Sequence, residues 1–106
     1  MARQEAQSKL LYYPTSDQVI DLIATWLTNP THSRLADPCV GEGQALARLK
    51  SALGDCETWG VELSYSRVVK AQSVIDVVLP ASFYHVKWAD RTVSLCLSNP
   101  PYDYSD

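Results

Sequence analysis

The sequence predicts an α/β domain in which helices flank a parallel sheet and one additional helix precedes the first strand. Strand-like and helical segments alternate along the chain, which is typical of parallel sheets with right-handed crossovers. The length of 106 residues suits one small domain, and a composition of 46% hydrophobic and 20% charged residues is that of a globular protein. Residues 1–10 are polar and have no capping signal, so we expect a flexible N-terminus followed by a domain over 11–106.

The first helix is predicted directly after Pro14, which biases Tyr13 towards an extended backbone. Thr15 and Gln18 have the spacing of a capping box, in which two side chains satisfy free amides at a helix start. The Asn-Pro pair at 29–30 ends the helix. Apolar residues at helical spacing predict one buried face, made of Val19, Leu22, Ile23, Trp26 and Leu27.

Two later helices are predicted from the same kind of pattern. The first starts near Gln44 and ends at Gly54, which suits the left-handed backbone of a helix end. The second is capped by Ser64. The first is expected to bury Ala45, Leu46, Leu49 and Leu53, and the second Val68, Ala71 and Ile75.

Four strands are predicted, over 34–36, 58–62, 82–87 and 93–97. The last is a near-continuous apolar run, which is typical of a strand buried on both faces. Polar side chains are expected directly after the strands, at Asp37, Glu62, Asp90 and Asn99. Because ligands of parallel sheets bind beyond the carboxyl ends of the strands, this coincidence predicts a binding site there.

Charge and cysteine usage exclude several classes of protein. The net charge of −3 and a pI of about 5.2 argue against a strongly basic nucleic-acid-binding module standing alone, although they allow a nucleic-acid substrate. Three cysteines and two histidines show no metal-ligand spacing, so no metal site is predicted. No signal peptide and no apolar run long enough for a membrane span are recognisable, and we expect a soluble, cytoplasmic protein with reduced thiols.

The loop after the first predicted strand has the chemistry of a ligand-binding turn. Gly41 and Gly43 allow a sharp turn and a close approach of the backbone, and the following helix start offers free amides to a carboxylate or phosphate. Leu46 stands where a dinucleotide-binding motif would have its third glycine, so that motif is excluded. The alternative is an ordinary strand-to-helix turn, but Asp37-Pro38 ahead of the glycines favours ligand binding.

Two acidic residues are candidates for nucleoside recognition. Glu62 could accept hydrogen bonds from both hydroxyls of a ribose, or it could be a solvated loop acid. Asp90 could accept a hydrogen bond from the exocyclic amine of an adenine, or it could form a local turn before Arg91.

The segment Ser98-Asn99-Pro100-Pro101-Tyr102-Asp103 carries the most specific signal in the chain. Two successive prolines hold the backbone rigid, so that carbonyl groups and the Asn99 side-chain oxygen can accept hydrogen bonds from one substrate amine. This arrangement positions the nitrogen and favours the charge that develops on it when it attacks a methyl sulfonium. Tyr102 could stack on a planar substrate. The alternative is a rigid proline turn closed by an aromatic side chain.

Together these segments resemble the class I S-adenosylmethionine-dependent methyltransferases, specifically the DNA N6-adenine type with an Asn-Pro-Pro-Tyr motif. Residues 37–43 are similar to the family's cofactor loop (motif I), 61–63 to its ribose-binding acid (motif II) and 89–90 to its adenine-reading residue (motif III). Residues 99–102 match the catalytic motif IV. Residues 12–15 resemble motif X, which helps to enclose the methionine part of the cofactor.

The resemblance implies a Rossmann-like sheet, S-adenosylmethionine as the cofactor and methyl transfer to adenine N6, with DNA as substrate and partner. The implied catalytic residues are Asn99, Pro100, Pro101 and Tyr102. The implied cofactor-binding residues are Tyr13, Pro14, Thr15, Asp37, Pro38, Gly41, Gly43, Glu62, Leu63 and Asp90.

The family's sheet continues after motif IV, whereas this sequence ends at Asp106, so we expect a methyltransferase fold truncated after the fourth strand. Its activity as an isolated chain is left open. The strand over 93–97 would lack one neighbour, and an unpaired apolar edge promotes association. We therefore expect residues 93–98 to pair with another chain in a homo-oligomer, or the chain to be a fragment.

Two other functions remain open at the level of sequence. One is an N5-glutamine protein methyltransferase, because that family shares motif IV. The other is a non-catalytic remnant or interaction module. Motif X directly ahead of motif I favours the DNA enzyme over the glutamine enzyme, and the intact Asn99-Pro100-Pro101-Tyr102 argues against a remnant.

Overall fold

The computed structural model describes residues 13–28 and 32–100. Three helices, four strands and one 3₁₀ turn follow in the described residues. The helices are α1 (Asp17–Thr25), α2 (Gln44–Leu53) and α3 (Tyr65–Ala71). The strands are β1 (Ser33–Asp37), β2 (Cys56–Glu62), β3 (Val77–Pro80) and β4 (Leu95–Cys96), and the 3₁₀ turn is Phe83–His85.

All four strands are parallel, in the spatial order β3-β2-β1-β4. β1 pairs with β2 along its whole length, from Ser33 opposite Cys56 to Asp37 opposite Gly60. The strand order reverses at β1, because the chain steps from β1 to β2 and β3 on one side and returns to β4 on the other. The predicted parallel α/β sheet is therefore confirmed, and β1 ends at the switch point where such sheets bind ligands.

The core lies between the sheet and helices α2 and α3. Leu46 and Leu49 of α2 are fully buried, and Val68 and Ala71 of α3 are almost fully buried. The predicted face of α2 is confirmed at Leu46 and Leu49, whereas Ala45 and Leu53 are only partly buried. The predicted face of α3 is confirmed at Val68 and Ala71; Ile75 is buried as well, but it lies after the end of the helix. Each fully buried aliphatic side chain stabilises the fold by about 1.5–3 kcal/mol relative to an exposed one.

Helix α1 starts one residue later than predicted, and it buries a different face. Ser16 is the N-cap, because its Oγ accepts the Val19 amide at 3.3 Å, so the predicted Thr15 cap is wrong. The fully buried residue is Ile20, flanked by the partly buried Ile23, Ala24 and Leu27. Three residues of the predicted buried face are exposed: Val19 (45%), Leu22 (52%) and Trp26 (71%).

Contact with α2 decides which face of α1 is buried. Arg48 donates from Nε to Asp21 Oδ1 at 2.8 Å and from Nη2 to Asp21 Oδ2 at 2.9 Å. Both side chains are about half exposed, so this pair adds little stability. Ile20 packs in the core with Leu46 and Leu49 of α2, and the burial of this side chain sets the rotation of α1 about its axis. The Trp26 side of the helix therefore faces solvent.

The third strand also differs from the prediction. β3 is Val77–Pro80, and the predicted strand over 82–87 is wrong, because Ser82 accepts the Tyr84 amide and starts the 3₁₀ turn Phe83–His85. β3 is an edge strand that pairs with β2 alone in the described sheet, and proline is tolerated as the last residue of an edge strand.

The segment over 81–94 crosses from β3 to β4 with no regular helix beyond the 3₁₀ turn. The Trp88 ring packs edge-on against the Trp59 ring of β2, with centroids 6.2 Å apart. Arg34 of β1 lies 5.0 Å from the Trp59 ring and donates to the Thr92 carbonyl at 3.2 Å. These contacts hold the crossover against the sheet side chains of β1 and β2.

β4 is shorter and less buried than predicted for 93–97. Only Leu95 and Cys96 form the strand, and Cys96 is exposed. The Ser94 and Leu97 amides add further hydrogen bonds to carbonyls of β1, at 2.9 and 2.8 Å. The residues at this edge are thus joined to β1 on one side, and no described strand pairs with the other side of β4. No helix within 13–28 and 32–100 has the length and apolarity of a membrane span.

Candidate functional site

A cavity of about 240 Å³ opens at the carboxyl ends of β1 and β2. It lies at the switch point of the sheet, where the sequence predicted the binding site. Seven of the predicted site residues line it: Tyr13, Thr15, Asp37, Pro38, Glu62, Leu63 and Asn99. The structure thus brings together the segments assigned to motifs X, I, II and IV, which are up to 86 residues apart in the chain.

Five predicted site residues lie elsewhere or outside the described chain. Pro14 and Pro100 are exposed and do not line the cavity. Asp90 lies in a separate hollow beside Trp88, on the crossover and not at a strand end. The structure therefore does not support Asp90 as an adenine-reading residue. Pro101 and Tyr102 lie outside the described residues.

The two loop glycines shape the cavity without lining it. Gly41 and Gly43 both have positive φ, 63° and 88°. A Cβ on Gly43 would lie 2.8 Å from Ile75 Cγ1, so this position also lets α2 start close to the residues that follow α3. The Val40 amide donates to the Val61 carbonyl at 2.9 Å and fixes the loop to β2.

Glu62 is the polar centre of the site. Its Oε1 accepts the Gly41 amide at 3.0 Å, and its Oε2 accepts the Ser64 amide at 2.8 Å and Arg67 Nε at 3.3 Å. The residue is only 9% exposed. A carboxylate offers about four acceptor positions. Glu62 therefore holds the glycine loop in place and keeps about one position for a ligand hydroxyl, instead of the two expected from the sequence.

Asp37 is the second buried acid of the cavity. It is 4% exposed, and its Oδ1 accepts the Cys39 amide at 2.9 Å. Burial raises the pKa of Asp37 from 3.8 to about 6; the Cys39 hydrogen bond opposes this change, and the charge of Glu62 adds to it. A nearby cation would favour the ionised form. The site is thus suited to a ligand that carries positive charge.

Cys39 lies beside these acids and is not suited to nucleophilic chemistry. Burial, followed by the charges of Asp37 and Glu62, raises the pKa of its thiol to about 11. Because the thiolate is the reactive form, the neutral thiol at physiological pH contributes packing to the cavity wall.

Asn99 is oriented by the segment that precedes α1. Its Nδ2 donates to the Tyr13 carbonyl at 2.6 Å and to Thr15 Oγ1 at 3.1 Å. A carbonyl can only accept, so the NH₂ group must face Tyr13. Among the described residues no donor bonds to Asn99 Oδ1. Asn99 is therefore a fixed hydrogen-bond acceptor in the cavity wall.

Sequence reasoning missed part of the cavity wall. The residues after β3, Ala81, Ser82, Phe83 and Tyr84, line the cavity together with Arg67 of α3. The signal for the first group was the apolar run Val77-Val78-Leu79 ahead of Pro80, which marks a strand whose carboxyl end reaches the same edge. Arg67 lies in the first turn of α3, five residues after Glu62, and no pattern in the sequence marked it as part of the cavity wall.

The parallel sheet, the glycine loop and the cavity at the switch point define a Rossmann-like methyltransferase fold. The chain matches an uncharacterised methyltransferase family (DUF6094) over residues 1–105, and it belongs to that family. No curated protein sequence matches the chain significantly.

Solved structures, one of them of a methyltransferase, share the fold. YcgJ from Bacillus subtilis superposes with a TM-score of 0.65 at 16% identity, over 78% of this chain and 38% of that one. The cyclopropane synthase MmaA2 from Mycobacterium tuberculosis gives 0.62 at 22%, over 76% and 30%. The plantazolicin methyltransferase BpumL, solved with SAH, gives 0.60 at 15%, over 92% and 37%. The chain thus spans between 30% and 38% of the length of these structures.

Proposed function

We propose that this chain carries the S-adenosylmethionine site and the amine-positioning residue of an N-methyltransferase that acts on adenine N6 in DNA. The fixed orientation of Asn99 is the observation that carries the proposal. Both hydrogens of Nδ2 are used by Tyr13 and Thr15, so Oδ1 is left to accept a hydrogen from a substrate amine.

The residues of the cavity fit S-adenosylmethionine. Glu62 would hold the ribose through its remaining acceptor position, and Asp37 would supply negative charge for the cationic part. Leu63, Ala81 and Phe83 offer apolar surface to a purine ring. When bound, this cofactor supplies an electrophilic methyl group on a sulfonium. SAH is present in the BpumL structure, which supports the assignment of the cofactor to this fold.

Asn99 would act on the amine in two ways. Accepting one N–H hydrogen at Oδ1 fixes the direction of the nitrogen lone pair, which matters because displacement at a methyl carbon needs alignment. Positive charge develops on the nitrogen as it becomes bonded to carbon, and a preorganised carbonyl dipole stabilises that charge. No acid–base residue beside Asn99 is required, because the methylated amine can lose its proton to water.

Adenine is favoured as the acceptor by the segment that follows β4. Asn99 is followed by Pro100, Pro101 and Tyr102, the order of the DNA N6-adenine enzymes that the sequence resembles. A base acted on by such an enzyme must leave the duplex, and an aromatic residue after the prolines would give it a stacking surface. The net charge of −3 implies that contacts to the phosphate backbone are few in this part of the protein.

Binding and transfer are tested separately. Isothermal titration with S-adenosylmethionine and with SAH is expected to show binding of both. If neither ligand gives a binding signal, the cofactor site is refuted and a non-catalytic interaction module is favoured. Transfer of a labelled methyl group from S-adenosylmethionine is then measured on duplex DNA and on a glutamine-containing peptide. Transfer to DNA, lost in Asn99→Ala with cofactor binding retained, supports the proposal. Transfer to the peptide alone would identify an N5-glutamine enzyme and overturn the DNA assignment.

A further inference from the structure

We propose that Thr15 is a positioning residue, which holds the Asn99 amide so that its oxygen is aimed at the substrate amine. The inference rests on the proposed function, because it explains how the same site positions an amine. Thr15 was predicted to cap α1, but Ser16 caps that helix. The Thr15 hydroxyl has its described hydrogen bond with Asn99 Nδ2, 84 residues away in the chain.

The physical need for this contact follows from the symmetry of an amide side chain. Oxygen and nitrogen of asparagine have nearly the same shape, so a rotation by 180° would exchange the acceptor for a donor. The Tyr13 carbonyl uses one hydrogen of Nδ2, at 2.6 Å. The Thr15 hydroxyl uses the other, at 3.1 Å. With both hydrogens bonded, Asn99 presents only its oxygen to a bound substrate.

Loss of the Thr15 oxygen would loosen this positioning. The Tyr13 carbonyl can only accept, so it would still keep the NH₂ group on its side, but the second hydrogen of Nδ2 would lack a partner in a half-buried side chain. Held by one hydrogen bond, the amide plane could swing about it, and Oδ1 would be aimed less closely at the substrate amine. The reaction would slow because fewer molecules have Asn99 in the productive orientation, while the cofactor contacts at Glu62 and Asp37 would stay unchanged.

Three variants test the role of Thr15. Thr15→Val keeps the shape and removes the acceptor, Thr15→Ser keeps the hydroxyl, and Thr25→Val makes the same change at an exposed position of α1 whose hydroxyl donates to the Leu22 carbonyl. We expect Thr15→Val to lower kcat for the amine about 10- to 100-fold and to weaken S-adenosylmethionine binding much less, because Thr15 lines the cavity but the contacts at Glu62 and Asp37 remain. Thr15→Ser should recover most of the rate, and Thr25→Val should match the parent.

Equal loss of kcat and of cofactor affinity in Thr15→Val would show a structural role and overturn the proposal, as would an unchanged kcat. The side-chain amide signals of Asn99 in a ¹⁵N-labelled chain give a second measurement that needs no turnover. In the parent both protons should be shifted downfield by hydrogen bonding, and one should move upfield in Thr15→Val but not in Thr25→Val. An unmoved Asn99 signal would refute the contact, whereas a parent chain that methylates nothing would refute the proposed function and leave this measurement valid.

Discussion

Replacing Asp37 with asparagine should stabilise the protein at neutral pH. Asp37 has a pKa of about 6 in the folded chain, against 3.8 for an ordinary aspartate, because burial disfavours its charge. Between these two values the unfolded chain has lost a proton that the folded chain retains, so the free energy of unfolding falls as pH rises. The loss is complete above pH 6 and amounts to about 3 kcal/mol. Asparagine has no charge to bury and can still accept the Cys39 amide.

The magnitude sets the assay for Asp37→Asn. Thermal unfolding at pH 8 should show a Tm roughly 12 °C or more above the parent, since each of the about 3 kcal/mol corresponds to roughly 4 °C or more in a domain of this size. At pH 4 the two proteins should unfold within about 2 °C of each other, because the parent carboxyl is then largely protonated in the folded state and close to its midpoint in the unfolded one. Asp90→Asn, at an exposed position, is the control and should change Tm little at either pH. A variant no more stable than the parent at pH 8 would refute the argument.

Three further predictions concern the same edge of the sheet. Glu62→Gln should lower the free energy of unfolding in urea by about 1–3 kcal/mol, because one amide oxygen cannot accept both the Gly41 and the Ser64 amides. This effect has the opposite sign to that of Asp37→Asn, and a variant as stable as the parent would contradict it. Gly43→Ala should lower the free energy of unfolding by about 2 kcal/mol or more, because the residue has a φ of 88° and its added Cβ would lie 2.8–2.9 Å from neighbouring side chains. A smaller loss of stability in the same urea measurement would show that the loop can shift. We propose that the side of β4 (Leu95–Cys96) that no described strand pairs with binds a second copy of the chain. Light scattering after size-exclusion chromatography should then show a dimer or a larger species. A stable monomer with a sharp thermal transition would exclude this pairing.

The first half of the sheet could be predicted because the residue pattern of each segment there favours the same element that the segment forms in the folded sheet. β1 and β2 lie where strand propensity predicted them. α2 lies where apolar residues at helical spacing, followed by a glycine, predicted a helix and its end. The cavity followed from the same reasoning, because carboxyl ends of parallel strands meet at one edge. Glu62 and Asp37 were therefore identifiable as site residues from their positions in the sequence alone.

The errors arose where two patterns overlap in one segment. α1 contains two apolar stripes that share Ile23 and Leu27, and helical spacing alone cannot choose between Ile20 and Trp26 as the buried residue. Packing of α1 against α2, which buries Ile20 beside Leu46 and Leu49, decided the choice. β3 was missed because Pro80 suggested an end and the aromatic run after it suggested a strand. Asp90 was predicted to read the adenine because it follows the predicted strand over 82–87, and in the structure it lies on the crossover, outside the cavity.

The bonds that orient Asn99 also bear on the order in which the chain folds. They join residues 84 and 86 positions apart, near the two limits of the described chain. Closing so long a loop costs conformational entropy, and contacts of high sequence separation form slowly. A region that is joined to the rest of the protein by few contacts also unfolds locally at a lower free energy than the core does. We therefore expect the hydrogen bonds that orient Asn99 to form last during folding and to break first on local unfolding. A chain whose sheet is intact can then still lack the Asn99 orientation that the proposed methyl transfer requires.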